Sequence, residues 1–259
     1  MAKIEQFYIS DEYVRKHPTM HVEHSAWKIS LMRPYLQQVA GLIGSGKCRL
    51  LDVGGGAGLI LKESAAIIGA CGITVEKLAL DLSPAMLAEQ QRNNPDLVAV
   101  MQRDARETQL PDKSVDLTMM VDVLEHIPQP ERALVEIARV SRYALFKVPV
   151  EDDLLFRLRN WITKGRPRQD MIEDTGHINF YTGRSLRTQV ARHCGRIVGF
   201  SYSRKYAYFR KHPDPILSAR LRRRMLVHAG NCLSAVSPSL ASYIMGDYAM
   251  LLCECRKLG

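Results

Sequence analysis

The chain has 259 residues, 46% of them apolar, which suits one large domain with insertions better than two full domains. Its net charge of +9 is uneven, because residues 1–150 hold 17 basic against 18 acidic side chains while residues 151–259 hold 19 against 9. No stretch reaches the roughly 18 uncharged apolar residues of a membrane span, Met1–Gln6 lacks the pattern of a secretory signal, and the six cysteines show neither a Cys-x-x-Cys pair nor zinc spacing, so reduced thiols in a cytoplasmic protein are expected.

His24 to Leu42 reads as a helix with Ala26, Ile29, Leu36, Val39 and Ile43 near one face. His17, His21 and His24 suggest a metal, but no acid or cysteine completes a set, and they read as exposed residues at the helix start. Arg49 to Val53 is a short apolar strand. It runs into Gly54-Gly55-Gly56-Ala57-Gly58 and then a good helix former, Leu59 to Ile68. Glycines serve where a chain turns sharply or where backbone must approach a ligand. The amides opening the following helix favour an anionic group. Leu59 stands where the dinucleotide fingerprint wants glycine or alanine, and no Lys-Ser or Lys-Thr follows at P-loop spacing. One reading of the loop is a tight structural turn. The other is a cradle for a nucleoside without a pyrophosphate, and S-adenosylmethionine fits that description.

Glu76 to Leu82 reads as a second strand with Asp81 at its end, 23 residues past Gly58. An acid so placed accepts from both hydroxyls of a ribose in related folds; its other reading is a solvated strand-end carboxylate. Ser83-Pro84 supplies an N-cap and a first-turn proline for the next helix. A third strand, Leu97 to Gln102, leads to Asp104-Ala105, where a carboxylate suits an adenine amino group and a small side chain leaves room for the ring. Val115 to Val121 is an apolar fourth strand, followed by Asp122-Val123-Leu124-Glu125-His126-Ile127-Pro128. Helix Pro130 to Val140 and strand Tyr143 to Val150 complete the alternation. Such an alternation implies a parallel sheet with right-handed crossovers and a ligand beyond the carboxyl ends of its strands. Asp52, Asp81, Asp104 and Asp122 all fall at or just after such ends.

With these motifs the chain resembles the class I S-adenosylmethionine-dependent methyltransferases, most of all the small-molecule group that includes ubiquinone and menaquinone biosynthesis enzymes. The resemblance is close from Arg49 to about Val150. It rests on Leu51 to Gly58, on Leu80 to Leu87, on Asp104-Ala105 with Leu110 to Asp116, and on Asp122 to Ile127. A phenylalanine often follows the Leu-Pro pair in that family; here Asp112 follows Pro111. The resemblance implies a Rossmann-like, seven-stranded, mostly parallel sheet with the last strand antiparallel and helices on both faces. It implies an N-terminal helical cap (1–46), a cofactor-binding core (47–150) and a remainder (151–259). It also implies roles. Gly54, Gly56 and Gly58 pass close to the methionine moiety, Asp52 orients the loop and helps hold the amino group, and Asp81 takes the ribose. Leu82 or Met86 lies against the adenine, Asp104 and Ala105 bracket its edge, and the carbonyl near Val121 faces the ammonium or sulfonium end.

Beyond the core, Leu154 to Ile162 is an apolar and basic helix where a lid over the acceptor would sit (151–180). Leu154, Leu155, Leu158, Trp161 and Ile162 fall at helical spacing. They pack on the core, cover a hydrophobic substrate or touch a lipid surface. Gly176-His177-Ile178-Asn179-Phe180-Tyr181-Thr182 follows, with Thr182 as N-cap of a helix to His193. Similar Gly-His segments recur beside the active site in the family. His177 is thus the first choice for a catalytic polar group, with His126 second, and Tyr181 and Trp161 are candidates for the substrate wall. Arg196 to Ser203 reads as strand six and Asp247 to Cys255 as strand seven. Residues 204–246 form a basic insertion containing Arg220-Leu221-Arg222-Arg223-Arg224.

Methyl transfer from a sulfonium is an in-line displacement that rests on alignment and enclosure. No metal-ligand set is visible in the sequence, so metal-independent chemistry is expected. An Asn-Pro-Pro-Tyr signature of base or amide methylation is missing after strand four. The expected acceptor is a small molecule, hydrophobic or anionic. The basic half leaves room for peripheral contact with an anionic membrane surface, and for RNA as a less favoured acceptor. A cofactor-binding partner protein without turnover is the non-enzymatic alternative. Oligomeric state is not legible.

Overall fold

The structure, a computed structural model, describes residues 9–10, 22–212 and 221–256, with backbone only for 221–223. His17, His21, Arg220 and the side chains of Leu221, Arg222 and Arg223 therefore lie outside the described residues. A seven-stranded sheet runs in the order β3-β2-β1-β4-β5-β7-β6. Its strands are β1 (Gly46–Val53), β2 (Ile73–Asp81), β3 (Ala99–Gln102), β4 (Val115–Val121), β5 (Ser141–Val150), β6 (Gly195–Tyr202) and β7 (Asp247–Cys255). All pairs are parallel except those of β7, which slots antiparallel between β5 and β6. The strand order reverses between β1 and β4, the place where open α/β sheets leave a crevice beyond their carboxyl ends.

Helices cover both faces. Helix α1 (Ser25–Ile43) and α2 (Leu59–Gly69) lie on one side, where Met32, Leu36, Val39, Leu61 and Ile68 pack against Leu50, Leu117 and Leu252. On the other side, Leu134 and Ile137 of α4 (Pro130–Val140) and Leu186 and Val190 of α7 (Gly183–His193) pack against Leu51, Leu78, Phe146 and Leu251. The two faces of β1 thus divide its apolar run by strand periodicity: Cys48 and Leu50 point one way, Leu51 and Val53 the other. Burying these side chains, at about 1.5–3 kcal/mol each, dominates the stabilisation of the sheet.

Caps set the helix starts. Ser83 Oγ accepts from Met86 N–H at 3.3 Å ahead of α3 (Pro84–Asn93), with Pro84 in the first turn. Asp153 caps α5 (Leu154–Ile162) by accepting from Phe156 N–H at 2.9 Å. Thr182 and Ser185 form a reciprocal capping box at α7.

One strand boundary shifts from the sequence reading, and two regions left unassigned there are helical. β2 starts at Ile73, three residues earlier than the expected Glu76, because the β-branched Ile73, Thr74 and Val75 join it, and it ends at Asp81, leaving Leu82 in the turn. Gly165-Arg166-Pro167 opens a further helix, α6 (Arg166–Thr175), because Gly165 takes a left-handed φ of +91° and Pro167 tolerates the first turn. The 204–246 insertion is mostly helical among its described residues, with α8 (Lys205–Lys211), α9 (Leu221–Val236) and α10 (Pro238–Met245). None of the described helices is long and apolar enough to cross a membrane.

Candidate active site

The glycine loop is tied down from three sides. Gly54 N–H donates to Leu80 O at 2.8 Å, fixing the loop to the end of β2. Asn93 Nδ2 donates to Ala57 O at 2.9 Å and Asn94 Nδ2 to Gly58 O at 3.0 Å, while Lys77 Nζ donates to Asn94 Oδ1 at 3.0 Å. Gly54, Gly56 and Gly58 all take left-handed φ values of +66°, +53° and +75°. A Cβ on Gly55 would overlap the Asp52 carboxylate beneath it, whereas one on Gly56 would meet nothing within 4 Å. The loop therefore closes over Asp52 and opens outward at Gly56.

A cavity of about 140 Å³ lies beside Gly54 and Gly56. Its lining includes Asp81, Leu82, Met86, Asp104, Ala105 and Ile127. A second cavity of about 360 Å³ continues past Asp52, Asp122, Glu125, Lys147 and His177 to Trp27 and Tyr248. Gly54, Gly56, Asp122 and His126 line both, so the two form one trough along the carboxyl edge of β2, β1 and β4. Val121 also lines the larger part.

The carboxylates of this trough differ sharply. Asp52 is buried and neither oxygen accepts a hydrogen bond. Burial, with the Asp81 charge adding to it, pushes its carboxyl up to about 7. Asp81 accepts from Ser83 N–H at 2.9 Å, yet burial outweighs that bond and pushes it up to about 6. Asp104 lines the smaller cavity, and Arg106 Nε donates to both of its oxygens at 3.0 Å. Ala105 lines the same wall.

Asp122 has φ +57°, a strained value for a side chain other than glycine, at about 1–3 kcal/mol. It sits between two ammonium groups, Lys28 at 2.9 Å and the fully buried Lys147. Burial alone would raise its carboxyl, but Lys147 and Lys28 hold it well below the usual range. Lys147 Nζ also lies 3.7 Å from the Tyr248 ring centroid, and Trp27 closes the wall behind it. Sequence reasoning missed Lys28, Lys147, Glu151, Trp27 and Tyr248. The one available signal was Lys147, a charge in the middle of the apolar run Ala144 to Val150.

His126 and His177 meet edge to face, with ring centroids 4.8 Å apart, on the wall of the larger cavity. Glu125, next to them, is fully buried and neither of its oxygens accepts a hydrogen bond; burial and the Asp122 charge push it well up. Glu125, His126 and His177 place one ligand-type atom each within 4.8 Å of one another. The sequence did not show this grouping, because His177 lies far along the chain from the adjacent Glu125-His126 pair and only the fold joins them.

Tyr181 and Trp161 are not brought to the trough. Tyr181 is buried among Leu186, Val190 and Phe146 on the sheet face, because its strand-like segment precedes the α7 cap and turns inward. Trp161 is 79% exposed on the outer side of α5. From the 151–180 segment the cavity is reached by Glu151, by Met171 and Thr175 of α6 and by His177, and from the N-terminal cap by Trp27 and Lys28 of α1. No described residue of 204–246 lines it.

Residues 51–143 match the family model described as a methyltransferase domain. The chain is 32% identical over 99 residues to phosphatidylethanolamine N-methyltransferase of Cereibacter sphaeroides, a match covering 36% of this chain and 45% of that one. The chain thus spans under half the length of this curated relative. In shape it is similar to geranyl diphosphate C-methyltransferase from Streptomyces coelicolor A3(2), with a TM-score of 0.58, 10% identity and coverage of 88% and 80% of the two chains. It is also similar to the 4+2 cyclase SpnF, with a TM-score of 0.54, 17% identity and coverage of 88% and 82%. The fold is the Rossmann-like fold of class I S-adenosylmethionine-dependent methyltransferases. A fold that also serves a cyclase leaves the reaction to be argued from the site.

Proposed function

We propose that the chain transfers the methyl group of S-adenosylmethionine to a small-molecule acceptor. The observation that carries this reading is the single trough joining Asp81 to Asp52 through Gly54 and Gly56. When bound, that cofactor supplies an electrophilic methyl on a sulfonium that becomes a neutral thioether on transfer. The residues present suit it. Asp81 takes the ribose hydroxyls, and Leu82, Met86, Ala105 and Ile127 give the flat apolar walls an adenine needs. Asp52 holds a buried charge site with no protein partner, suited to an ammonium group. The open side of Gly56 lets backbone approach the methionine moiety. The ring edges of His126 and His177, with Val121 nearby, face the acceptor end.

The acceptor is a small molecule with an apolar body, as in the ubiquinone and menaquinone group that the motifs resemble. The relative from Cereibacter sphaeroides and the geranyl diphosphate enzyme, whose structure holds that diphosphate with S-adenosylhomocysteine, both act on molecules of this kind. The decisive experiment feeds isotopically labelled S-adenosylmethionine and a cell extract to the purified chain and seeks a labelled product by mass. Label in a small lipophilic product supports the reading; label confined to RNA, or cofactor binding with no labelled product, overturns it.

A second feature favours delivery of that acceptor at an anionic lipid surface. Helix α5 exposes Leu154, Leu155, Leu158, Trp161 and Ile162, and carries Arg157 and Arg159. A further open cavity of about 380 Å³ between α5 and α6 shares Met171 and Thr175 with the trough. An apolar ridge with basic flanks beside such an opening suits an interfacial helix.

A further inference from the structure

Glu125, His126 and His177 are placed by two short segments that are stitched together. The 3-10 turn Leu124–His126 follows β4. Residues 176–179 lie across it, with Ile178 N–H and Asn179 N–H both donating to Glu125 O at 3.0 Å. Asn179 Nδ2 donates to Leu124 O at 3.0 Å and to Ile127 O at 2.8 Å. This brings a histidine from each segment to one point.

The partners of the two rings fix their tautomers. A carbonyl only accepts, so His126 Nδ1 carries the proton that it shares with Gly176 O at 3.1 Å. The Glu151 carboxylate accepts from His177 Nδ1 at 2.7 Å. In a neutral imidazole that arrangement puts the lone pair of each ring on Nε2. Metal-binding histidines are held in the same way, with the outer nitrogen donating to a carbonyl or a carboxylate. The third group, Glu125, is fully buried with no hydrogen bond to either oxygen. Its Oε1 lies 3.9 Å from His126 Nε2. Bonds of about 2.0–2.2 Å at tetrahedral angles set ligand atoms about 3.4 Å apart, so these atoms, all within 4.8 Å of one another, draw in by about an ångström to share one ion.

We propose that Glu125, His126 and His177 form a three-ligand site for a divalent transition-metal ion of the zinc type. Two nitrogens and one carboxylate oxygen select such an ion over magnesium or calcium, which prefer all-oxygen sets. The fourth position faces the larger cavity and takes an oxygen of the acceptor, a phosphate or a hydroxyl. That last role rests on the methyl-transfer reading; the ion itself does not. Nearby charges are Asp122, Glu151 and Lys147, and the dication offsets the excess of carboxylates.

The test uses the full chain, stripped with a chelator and titrated with Co²⁺ and then Zn²⁺, followed by the visible spectrum and by metal content after dialysis. One ion per chain in a nitrogen- and oxygen-type spectrum is expected, with at least ~100-fold weaker binding in Glu125→Gln and in His177→Gln. S-adenosylhomocysteine calorimetry on the same samples shows that the variants are folded. A thiolate charge-transfer band, no stoichiometric binding, or equal binding in His177→Gln overturns the site. Stripped protein that binds S-adenosylhomocysteine but not Co²⁺ refutes the metal alone; protein that binds Co²⁺ but not S-adenosylhomocysteine refutes the cofactor reading alone.

Discussion

Lys147 on β5 meets Asp122, the residue just past the end of the neighbouring parallel strand β4, as an ion pair in which the lysine is fully covered and its ammonium donates to the half-buried carboxylate. Lys147→Met leaves Asp122 strained and short of one counter-charge. Losing one partner of a buried pair costs about 3–5 kcal/mol. The urea midpoint should fall accordingly, and Lys147→Met with Asp122→Asn should recover part of the loss. A single variant as stable as wild type contradicts the pairing.

Two glycines of the loop should fail in different ways. A Cβ on Gly58 would stand 2.8 Å from Asn94 Nδ2 and 3.0 Å from Gln90 Cα at a left-handed φ. Gly58→Ala therefore loses about 1–3 kcal/mol of stability. Gly56 is equally left-handed but meets nothing, so Gly56→Ala costs only the backbone strain of about 1–2 kcal/mol. Its larger effect falls on S-adenosylhomocysteine affinity, because the new methyl enters the trough. Paired urea melts and calorimetry separate the two; equal effects on both quantities would contradict the geometry.

The half of the site that sequence made legible is the half encoded locally. Asp52, Gly54, Gly56, Asp81, Leu82, Met86, Asp104 and Ala105 each sit at the end of a strand or in the turn or helix start just after it, and chain order alone brings them to one edge. The other half depends on long-range packing. Lys28 comes from α1, Tyr248 from β7 and His177 from the segment after α6, and no spacing predicts that they share a wall with Asp122. Tyr181 shows the limit of proximity in sequence: four residues from His177, it faces the core instead. The Asp104 carboxylate lies at the expected place, and its pairing with the guanidinium two residues on is a contact that the sequence reading did not include.

The pH dependence should carry the mark of Asp52. Its folded value of about 7 stands above the ordinary 3.8, so the ligand-free chain loses stability from this group as pH rises from about 4 to about 7. Asp52→Asn removes that loss, and the gain in Tm over wild type should be larger at pH 8 than at pH 5. Binding runs oppositely, since a ligand ammonium takes the charged carboxylate. Wild-type affinity for S-adenosylhomocysteine should rise from about pH 5.5 to 8, and Asp52→Asn should keep only the part near pH 6 that belongs to Asp81. Parallel Tm profiles in the two proteins would count against the buried charge.

Helix α5 should govern contact with lipid. Trp161 and Ile162 are its most exposed apolar side chains, at 79% and 64%. Vesicles containing phosphatidylglycerol should sediment the chain at low salt, and Trp161→Ala with Ile162→Ser should reduce that at least tenfold without lowering Tm. Binding to neutral vesicles as strongly as to anionic ones, or no change in the double variant, would remove α5 from the role.

The central claim is that the trough grips an adenosyl cofactor through Asp81 and the glycine loop. Isothermal titration of the chain with S-adenosylhomocysteine measures it most directly, beside Asp81→Ala. A saturable isotherm with one site per chain, weakened at least tenfold by the substitution, is the predicted result. An absent isotherm in folded wild-type protein, or equal affinity in Asp81→Ala, would contradict it.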